Sequence, residues 1–171
     1  MLSVMEPDRV DWILAEWARE RPDLDASPIG VIGRVSRAAR YLERELETVF
    51  RRHGLDGGAY DVLATLRRSG RPYELSASSL AEATMLARSS MTSRIDRLET
   101  AGLVARVEDE RDGRGVGVRL TGTGLEMVDR ASVDHLANEA RLLSRLPDGV
   151  AERIACDLRH LLRTLEPGGA G

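Results

Sequence analysis

Apolar residues recur at helical spacing along most of this chain. Four long segments carry them on one side only, with the period of about 3.6 residues that an amphipathic helix requires. These segments run from about Asp8 to Arg21, Pro28 to His53, Gly122 to Leu146 and Val150 to Leu165. Their apolar sides are broad, which predicts that two copies of the chain associate through the terminal helices.

A denser pattern of short elements lies between Ser76 and Thr121. A short helix that begins after Ser76 is followed by a tight turn and a second helix, in which Met91, Ile95 and Leu98 fall at i, i+4 and i+7. These three side chains share one face and are expected to pack inward. The pattern therefore predicts a pair of helices, of which the second shows a polar face to its surroundings.

A glycine turn and two short strands complete this segment. Gly102 is placed to end the second helix, as a glycine at the C-terminus of a helix commonly does. Residues 103–107 and 115–120 have strand composition, and the polar, turn-forming stretch between them predicts a hairpin. The order of elements is that of a helix-turn-helix with a β-wing. We therefore predict a mainly α fold with a small β-wing, in which dimerisation helices flank a winged helix-turn-helix.

This organisation divides the chain into three regions. Residues 1–54 supply an extra N-terminal helix and a long dimerisation helix. Residues 55–121 form the winged helix-turn-helix DNA-binding domain, which begins with a third helix over Gly58–Arg68. Residues 122–171 supply C-terminal dimerisation helices and a flexible tail.

The outward face of the second helix of the pair carries groups suited to duplex DNA. Short hydroxyl side chains let a helix lie deep in the major groove, and Arg97 can donate two hydrogen bonds to a guanine. Arginines at the tip of the hairpin can reach the minor groove, where the negative potential attracts them. The predicted DNA-binding residues are Ser89, Ser90, Thr92, Ser93, Arg97, Arg111 and Arg114. A two-fold dimer would present two such helices about one DNA turn apart, which predicts a near-palindromic operator.

The charge of the chain gives this interpretation little help. The net charge is −3, and the stretch from Leu86 to Arg119 holds seven Arg and six acidic residues, a net charge of +1. So small a local charge argues mildly against tight non-specific binding to DNA. The orientation of the Arg side chains must therefore contribute more than bulk charge. The same weakness leaves open a winged helix that binds another protein instead of DNA.

The chain resembles the MarR family of bacterial transcriptional regulators in the motif Met-Thr-Ser-Arg-Ile-Asp-Arg-Leu-Glu at 91–99, with Gly-Leu-Val at 102–104 and Asp-Gly-Arg at 112–114. The resemblance covers nearly the whole chain. It implies a dimeric repressor of transcription that responds to a ligand. The family wing often has Asp-Arg-Arg where this chain has Asp-Gly-Arg, so one wing arginine is missing.

The extra N-terminal helix makes the chain similar to one subgroup of that family, the urate-responsive regulators and their PecS- and TamR-like relatives. In that subgroup the ligand pocket is shaped by a Trp on the first helix, an Asp before the helix pair, an Arg on the recognition helix and an Arg on the first wing strand. The resemblance carries these ligand-binding roles to Trp17, Asp61, Arg94 and Arg106. It implies a small anionic ligand, either a urate-like purine or a tricarboxylate such as citrate or aconitate.

Helical geometry is compatible with this assignment. Arg94 lies about 60° from the centre of the apolar face of its helix, so its side chain borders the buried side. We expect Asp61 in the first turn of the third helix, and an anion would compete with it for Arg94 and shift the recognition helix. The alternative is that Asp61 and Arg94 form a structural ion pair, that Trp17 packs in the core, and that the regulator has no small-molecule ligand.

Other functions find less support in the sequence. The three histidines are far apart and no phosphate-binding glycine loop precedes a helix, so we expect neither an enzyme nor a resident cofactor or metal ion. The one cysteine, Cys156, lies beside Ile154 and Leu158 and is expected to be packed or inert, and not redox-active. No apolar run is long enough to span a bilayer and no disulfide can form within the chain, which predicts a cytoplasmic, nucleoid-associated protein.

Overall fold

The computed structural model describes residues 6–84, 91–108 and 116–166. Within these ranges the elements are α1 (Arg9–Glu20), α2 (Ile29–Arg52), α3 (Gly57–Arg68), β1 (Glu74–Ser76), α4 (Ala77–Ala83), α5 (Met91–Thr100), β2 (Val104–Glu108), β3 (Val116–Leu120), α6 (Gly122–Leu143) and α7 (Val150–Leu165). Long helices around a small sheet confirm the predicted fold class. The chain divides between Thr48 and Val49 into two compact units, and each is described by itself.

In the first unit, α1 packs on a glycine-containing side of α2. Val10 is only 1% exposed, and a methyl group added at Gly33 would lie 3.4 Å from its side chain. The start of α1 is held by Asp8, whose carboxylate accepts hydrogen bonds from the backbone amides of Val10 and Asp11. Arg34 of α2 donates to the Asp8 and Asp11 carboxylates, at 2.9 and 2.7 Å. Small residues on α2 therefore allow close packing, and the ion pairs lie at its edge.

The core of the second unit surrounds α3. Its inner side chains Val62, Leu63 and Leu66 have no exposed surface. Helices α4, α5 and α6 and strand β3 all contact this helix. Full burial of each such side chain contributes about 1.5–3 kcal/mol, so α3 is the element that holds the helix pair and the sheet in place.

The sheet is antiparallel, with the strand order β1-β3-β2. Val118 at the centre of β3 lies between Leu75 of β1 and Arg106 of β2. The sequence pattern predicted the two strands of the wing but missed β1, because its three residues are too few for a period to show. An ion pair of 2.8 Å between Glu74 and Arg119 joins β1 to β3.

Two local predictions are wrong. Asp61 is the fifth residue of α3 and not in its first turn, because the helix begins at Gly57 and Asp56 is its N-cap, whose carboxylate accepts from the Ala59 amide at 2.7 Å. Cys156 is exposed on α7 instead of packed.

Broad apolar faces remain exposed on the long helices of the single chain. No residue of α7 is buried, although its sequence is strongly amphipathic. Leu136 of α6 is 61% exposed, and Val133 and Leu143 on the same helix are exposed too. Such faces favour burial against a partner surface. None of the described helices is both long and apolar enough to cross a membrane, and no cluster of candidate metal ligands occurs in the described ranges.

The first turn of α6 offers a test of the packing. A methyl group at Gly124 would lie 1.9 Å from the carbonyl oxygen of Leu103, whereas one at Gly122 would meet nothing within 4 Å. Gly124→Ala should therefore destabilise the fold by about 2 kcal/mol or more. Gly122→Ala should leave the melting temperature unchanged or slightly raised, and thermal unfolding by circular dichroism measures both. Equal melting temperatures for the two variants would contradict this packing.

Candidate nucleic-acid interface

Burial of one side of α5 determines where its other side chains lie. Met91, Ile95 and Leu98 are 3–4% exposed, as their spacing predicts. Thr92 and Ser93, on other sides of the helix, are exposed. Because residues are about 100° apart around a helix, the buried stripe fixes the rotation of α5 and keeps its hydroxyl groups at the surface.

Arg97 lies on the exposed side of α5. Its side chain is 65% exposed, and Nη1 lies 3.9 Å from Oδ2 of Asp56. The same Asp56 carboxylate caps α3, so it holds a charge beside Arg97 without enclosing it. An exposed ion pair at this distance contributes little free energy. Arg97 can therefore leave Asp56 and donate to a base edge or a phosphate at small cost.

The side chain of Arg94, unlike that of Arg97, points towards the core. A methyl group added at Gly58 would lie 2.4 Å from three atoms of the Arg94 guanidinium group, so this group rests directly on the start of α3. Asp61 is half-buried and lies three residues beyond Gly58, on the same side of that helix. Arg94 thus borders the buried side of its helix, as the helical spacing predicts, and its guanidinium group lies at the start of α3, near Asp61 in the sequence.

A cavity of about 210 Å³ opens between the start of α3 and α5. Its charged lining groups come from Asp56, Arg94 and Arg97. The remaining lining residues are small or apolar: Gly54, Leu55, Ala59, Leu98, Ala101 and Leu103. The lining therefore combines small and apolar residues with two guanidinium groups and one carboxylate, and its net positive charge suits a small anion with an apolar body.

A sharp reversal at Gly102 leads from α5 into the wing. Gly102 has a φ of +70°, which favours glycine at this position. The Leu103 amide donates to the Leu98 carbonyl at 2.9 Å and the Gly102 amide donates to the Glu99 carbonyl at 2.8 Å. These two bonds form a Schellman motif, which closes the helix and sends β2 back along it.

The reversal brings Arg106 of β2 against two acids of α5. Its guanidinium group donates to Asp96 at 2.5 Å through Nη2 and to Glu99 through Nη1. The Arg106 backbone amide also donates to Glu99, at 3.1 Å. The hydrogen bonds to Asp96, and then to Glu99, raise the pKa of Arg106 above its usual value, so this group is a permanent cation. We name this set of three side chains the Arg106 bridge.

The described site residues thus divide into four groups, one of which is Arg106, on β2 against the two acids of α5. Thr92, Ser93 and Arg97 lie at the surface of α5, while Arg94 and Asp61 lie at its junction with α3. Trp17, which is 41% exposed, belongs to the other unit. Ser89, Ser90, Arg111 and Arg114 lie outside the described residues.

Sequence reasoning missed the acids of the Arg106 bridge. Both acids belong to the motif at 91–99, and no role is predicted for either Asp96 or Glu99. Their spacing of three residues places both carboxylates on one side of α5. That spacing is the signal that could have predicted a shared cationic partner.

The contact between Arg94 and Gly58 can be measured with a double-mutant cycle. Gly58→Ala should stabilise an Arg94→Ala variant by about 0.5 kcal/mol, because alanine favours the helix. The same change in the wild-type background should stabilise less or destabilise, since the new methyl group must displace the guanidinium group. Thermal or urea unfolding of the four proteins gives the coupling. A Gly58→Ala effect that is the same in both backgrounds would show that the guanidinium group lies elsewhere.

Comparison with known proteins agrees with this geometry. Residues 53–115 match a family model described as MarR family. The chain is 41% identical over 154 residues to the HTH-type transcriptional regulator PecS of Dickeya dadantii (strain 3937), and the alignment covers 90% of each protein.

Two solved structures extend the likeness to three dimensions. One is Sco3205, a MarR family transcriptional regulator from Streptomyces coelicolor in complex with DNA, with a TM-score of 0.75 at 28% identity, covering 86% of this chain and 92% of that one. The other is BpsR of Bordetella bronchiseptica, whose DNA binding is regulated by 6-hydroxynicotinic acid, with a TM-score of 0.67 at 25% identity, covering 83% and 96%. With these likenesses and a winged helix built as described above, this chain belongs to the MarR family of transcriptional regulators and is a DNA-binding protein, not an enzyme.

Proposed function

We propose that this protein is a repressor that binds a near-palindromic operator as a homodimer and is released by a small anionic metabolite. The observation that carries the proposal is that the two arginines of α5 point in different directions. Arg97 lies at the surface of this helix, whereas Arg94 is directed onto α3. Helix α5 thus carries one cation that can bind DNA and a second cation that a ligand bound within the protein can contact.

The homodimer is supported by the apolar faces that the single chain leaves exposed. They include Val133 and Leu136 of α6 and Leu158 and Leu162 of α7. A two-fold dimer buries the same face of both copies. Its two recognition helices would then enter successive major grooves, which requires an operator with two inverted half-sites.

In the proposed complex α5 enters the major groove and the wing reaches the minor groove. Thr92, Ser93 and Arg97 supply the contacts from the described part of the helix, and Ser89 and Ser90 precede them in the sequence. For the wing we retain Arg111 and Arg114, because arginines at the tip of the predicted hairpin can reach the negative potential of the minor groove. Arg97 is the strongest candidate for base recognition, since a guanidinium group can donate two parallel bonds to guanine.

The proposed ligand is a urate-like purine or a tricarboxylate such as citrate or aconitate. Arg94 and Arg106 offer planar guanidinium groups that bind such anions through paired hydrogen bonds, and Asp61 lies on the side of α3 that Arg94 contacts. Trp17 is kept as a fourth residue by resemblance alone. The relative BpsR, which responds to a small aromatic acid, supports a ligand of this chemical class. By linkage, the anion must bind the DNA-free form better than the DNA-bound form.

A regulator without a small-molecule ligand is the second candidate. One observation favours it: Arg106 already has two carboxylate partners, so an anion must displace them. Under this alternative the bridge is a structural element only, and neither purines nor tricarboxylates alter DNA binding.

The DNA contact is tested by Arg97→Ala. The variant should lose binding to a duplex from the region upstream of its own gene by about tenfold or more, because one base contact contributes about 1–3 kcal/mol. Sedimentation should still show a dimer, since Arg97 lies on the exposed side of α5. Arg145→Ala removes one exposed cation outside the helix pair and is the matched control. Equal loss of binding in both variants would mean that only bulk charge matters.

The ligand is tested by thermal shift and by release from DNA. Urate, xanthine, citrate and aconitate are each added to the wild type and to Arg94→Ala. The active anion should raise the melting temperature of the wild type and release its DNA, because ligand binding stabilises the form that it binds. Arg94→Ala should still bind DNA but respond at least about tenfold less. If none of the four anions has an effect on the wild type, the second candidate is favoured.

A further inference from the structure

The Arg106 bridge joins β2 to α5, the helix that is proposed to bind DNA. Asp96 is exposed, and Glu99 is half-buried beside it on α5. Both carboxylates bind the same guanidinium group, and its strand leaves α5 through the Gly102 reversal. The bridge therefore connects the recognition helix to the wing by charge as well as by the chain.

The charges of α5 do not favour DNA without this bridge. Of the two arginines in the described part of the helix, Arg94 rests on α3 and only Arg97 remains at the surface. Against this one positive charge stand two negative charges, Asp96 and Glu99, which leaves a net charge of −1. Arg106 brings the sum to zero. Duplex DNA carries one negative charge per about 1.7 Å of its axis, so a net negative helix would be repelled.

We propose that Arg106 is a positioning residue for DNA binding: it neutralises Asp96 and Glu99, and an anionic ligand releases DNA by taking Arg106 away from these two carboxylates. This inference rests on the proposed function and names the charges through which the ligand acts. The ligand class is an anion with at least two acceptor atoms that can face one guanidinium group, as a carboxylate or the anion of a urate-like purine has. Such an anion can occupy the two guanidinium edges that Asp96 and Glu99 use now.

The backbone contact of Glu99 explains why the wing need not detach. Glu99 accepts from the Arg106 amide as well as from its guanidinium group. When the guanidinium group turns to the ligand, the hydrogen bond from the Arg106 backbone amide to Glu99 can remain. The Schellman turn at Gly102 is then unchanged. The change is then electrostatic: the surface of α5 gains two uncompensated carboxylates while the fold persists.

Three variants separate this role from a structural one in the absence of ligand. Arg106→Ala removes the cation, Asp96→Asn with Glu99→Gln removes both negative charges, and the triple variant removes all three charges. Anisotropy titrations with the duplex upstream of the gene measure the affinity at two salt concentrations. Arg106→Ala should bind about tenfold more weakly, the double variant about threefold or more tightly, and the triple variant within about threefold of the wild type.

Each departure from this pattern has a definite meaning. Wild-type affinity in Arg106→Ala overturns the inference, and so does a triple variant as weak as Arg106→Ala, since Arg106 would then contact DNA itself. Circular dichroism melting accompanies each titration. If Arg106→Ala fails to fold, the double variant decides the question. It should still fold, because the amide oxygens of its new side chains can accept hydrogen bonds from Arg106. If its affinity for the duplex does not increase, the inference is overturned. A wild type that ignores the duplex contradicts the proposed function as well.

A ligand measurement adds a signature that a structural role would not produce. The probes are urate and citrate. In the double variant the probe no longer competes with two carboxylates, so it should bind more tightly and shift the melting temperature more than in the wild type. The same probe should release the DNA of the double variant less, because no carboxylates are exposed. Equal release of DNA from both proteins overturns the ligand part of the inference.

Discussion

Burial of Met91, Ile95 and Leu98 is the constraint on which the rest of the site depends. Removal of each side chain from water contributes about 1.5–3 kcal/mol, which far exceeds what any one surface ion pair supplies. The helix cannot rotate to optimise a charge contact without exposing this stripe. The stripe therefore decides that Arg97 is at the surface and that Arg94 is directed onto Gly58. Charge acts within an orientation that apolar packing has already set.

The Gly102 reversal makes the recognition helix and the wing one mechanical element. A left-handed residue followed by two closing hydrogen bonds leaves few conformations for the chain between Leu98 and Val104. The first turn of α6 also packs directly on Leu103, with no room for a side chain at Gly124. A displacement of α5 is consequently transmitted to the wing and to the start of α6. This rigidity keeps Arg106 in place beside the recognition helix, as the proposed function requires.

The sequence alone predicted the features that follow from the spacing of apolar residues. It predicted few of the contacts that form where the chain turns back on itself. The spacing of apolar residues was sufficient for the inner face of α5 and for the long helices, because burial imposes the period. It was insufficient for β1, which has only three residues. The partners of Arg106 could not be chosen from the sequence, because six acidic residues lie between Leu86 and Arg119. Which of them Arg106 contacts depends on the turn at Gly102. Asp56 could not be recognised as the N-cap of α3 from the sequence, because the start of the helix was expected one residue later.

Under the proposed function, the small net charge of the winged helix is a requirement of regulation and not a weakness. A strongly basic surface would hold DNA through many phosphates, and the loss of one cation would change the affinity little. Here the charges at the surface of α5 sum to zero, so the loss of Arg106 leaves this surface with a net charge of −1. A tenfold change in affinity needs only about 1.4 kcal/mol of differential interaction. A ligand can supply this free energy only if it binds the DNA-free and the DNA-bound protein with different affinities. Competition with Asp96 and Glu99 for the guanidinium group of Arg106 is a direct source of that difference.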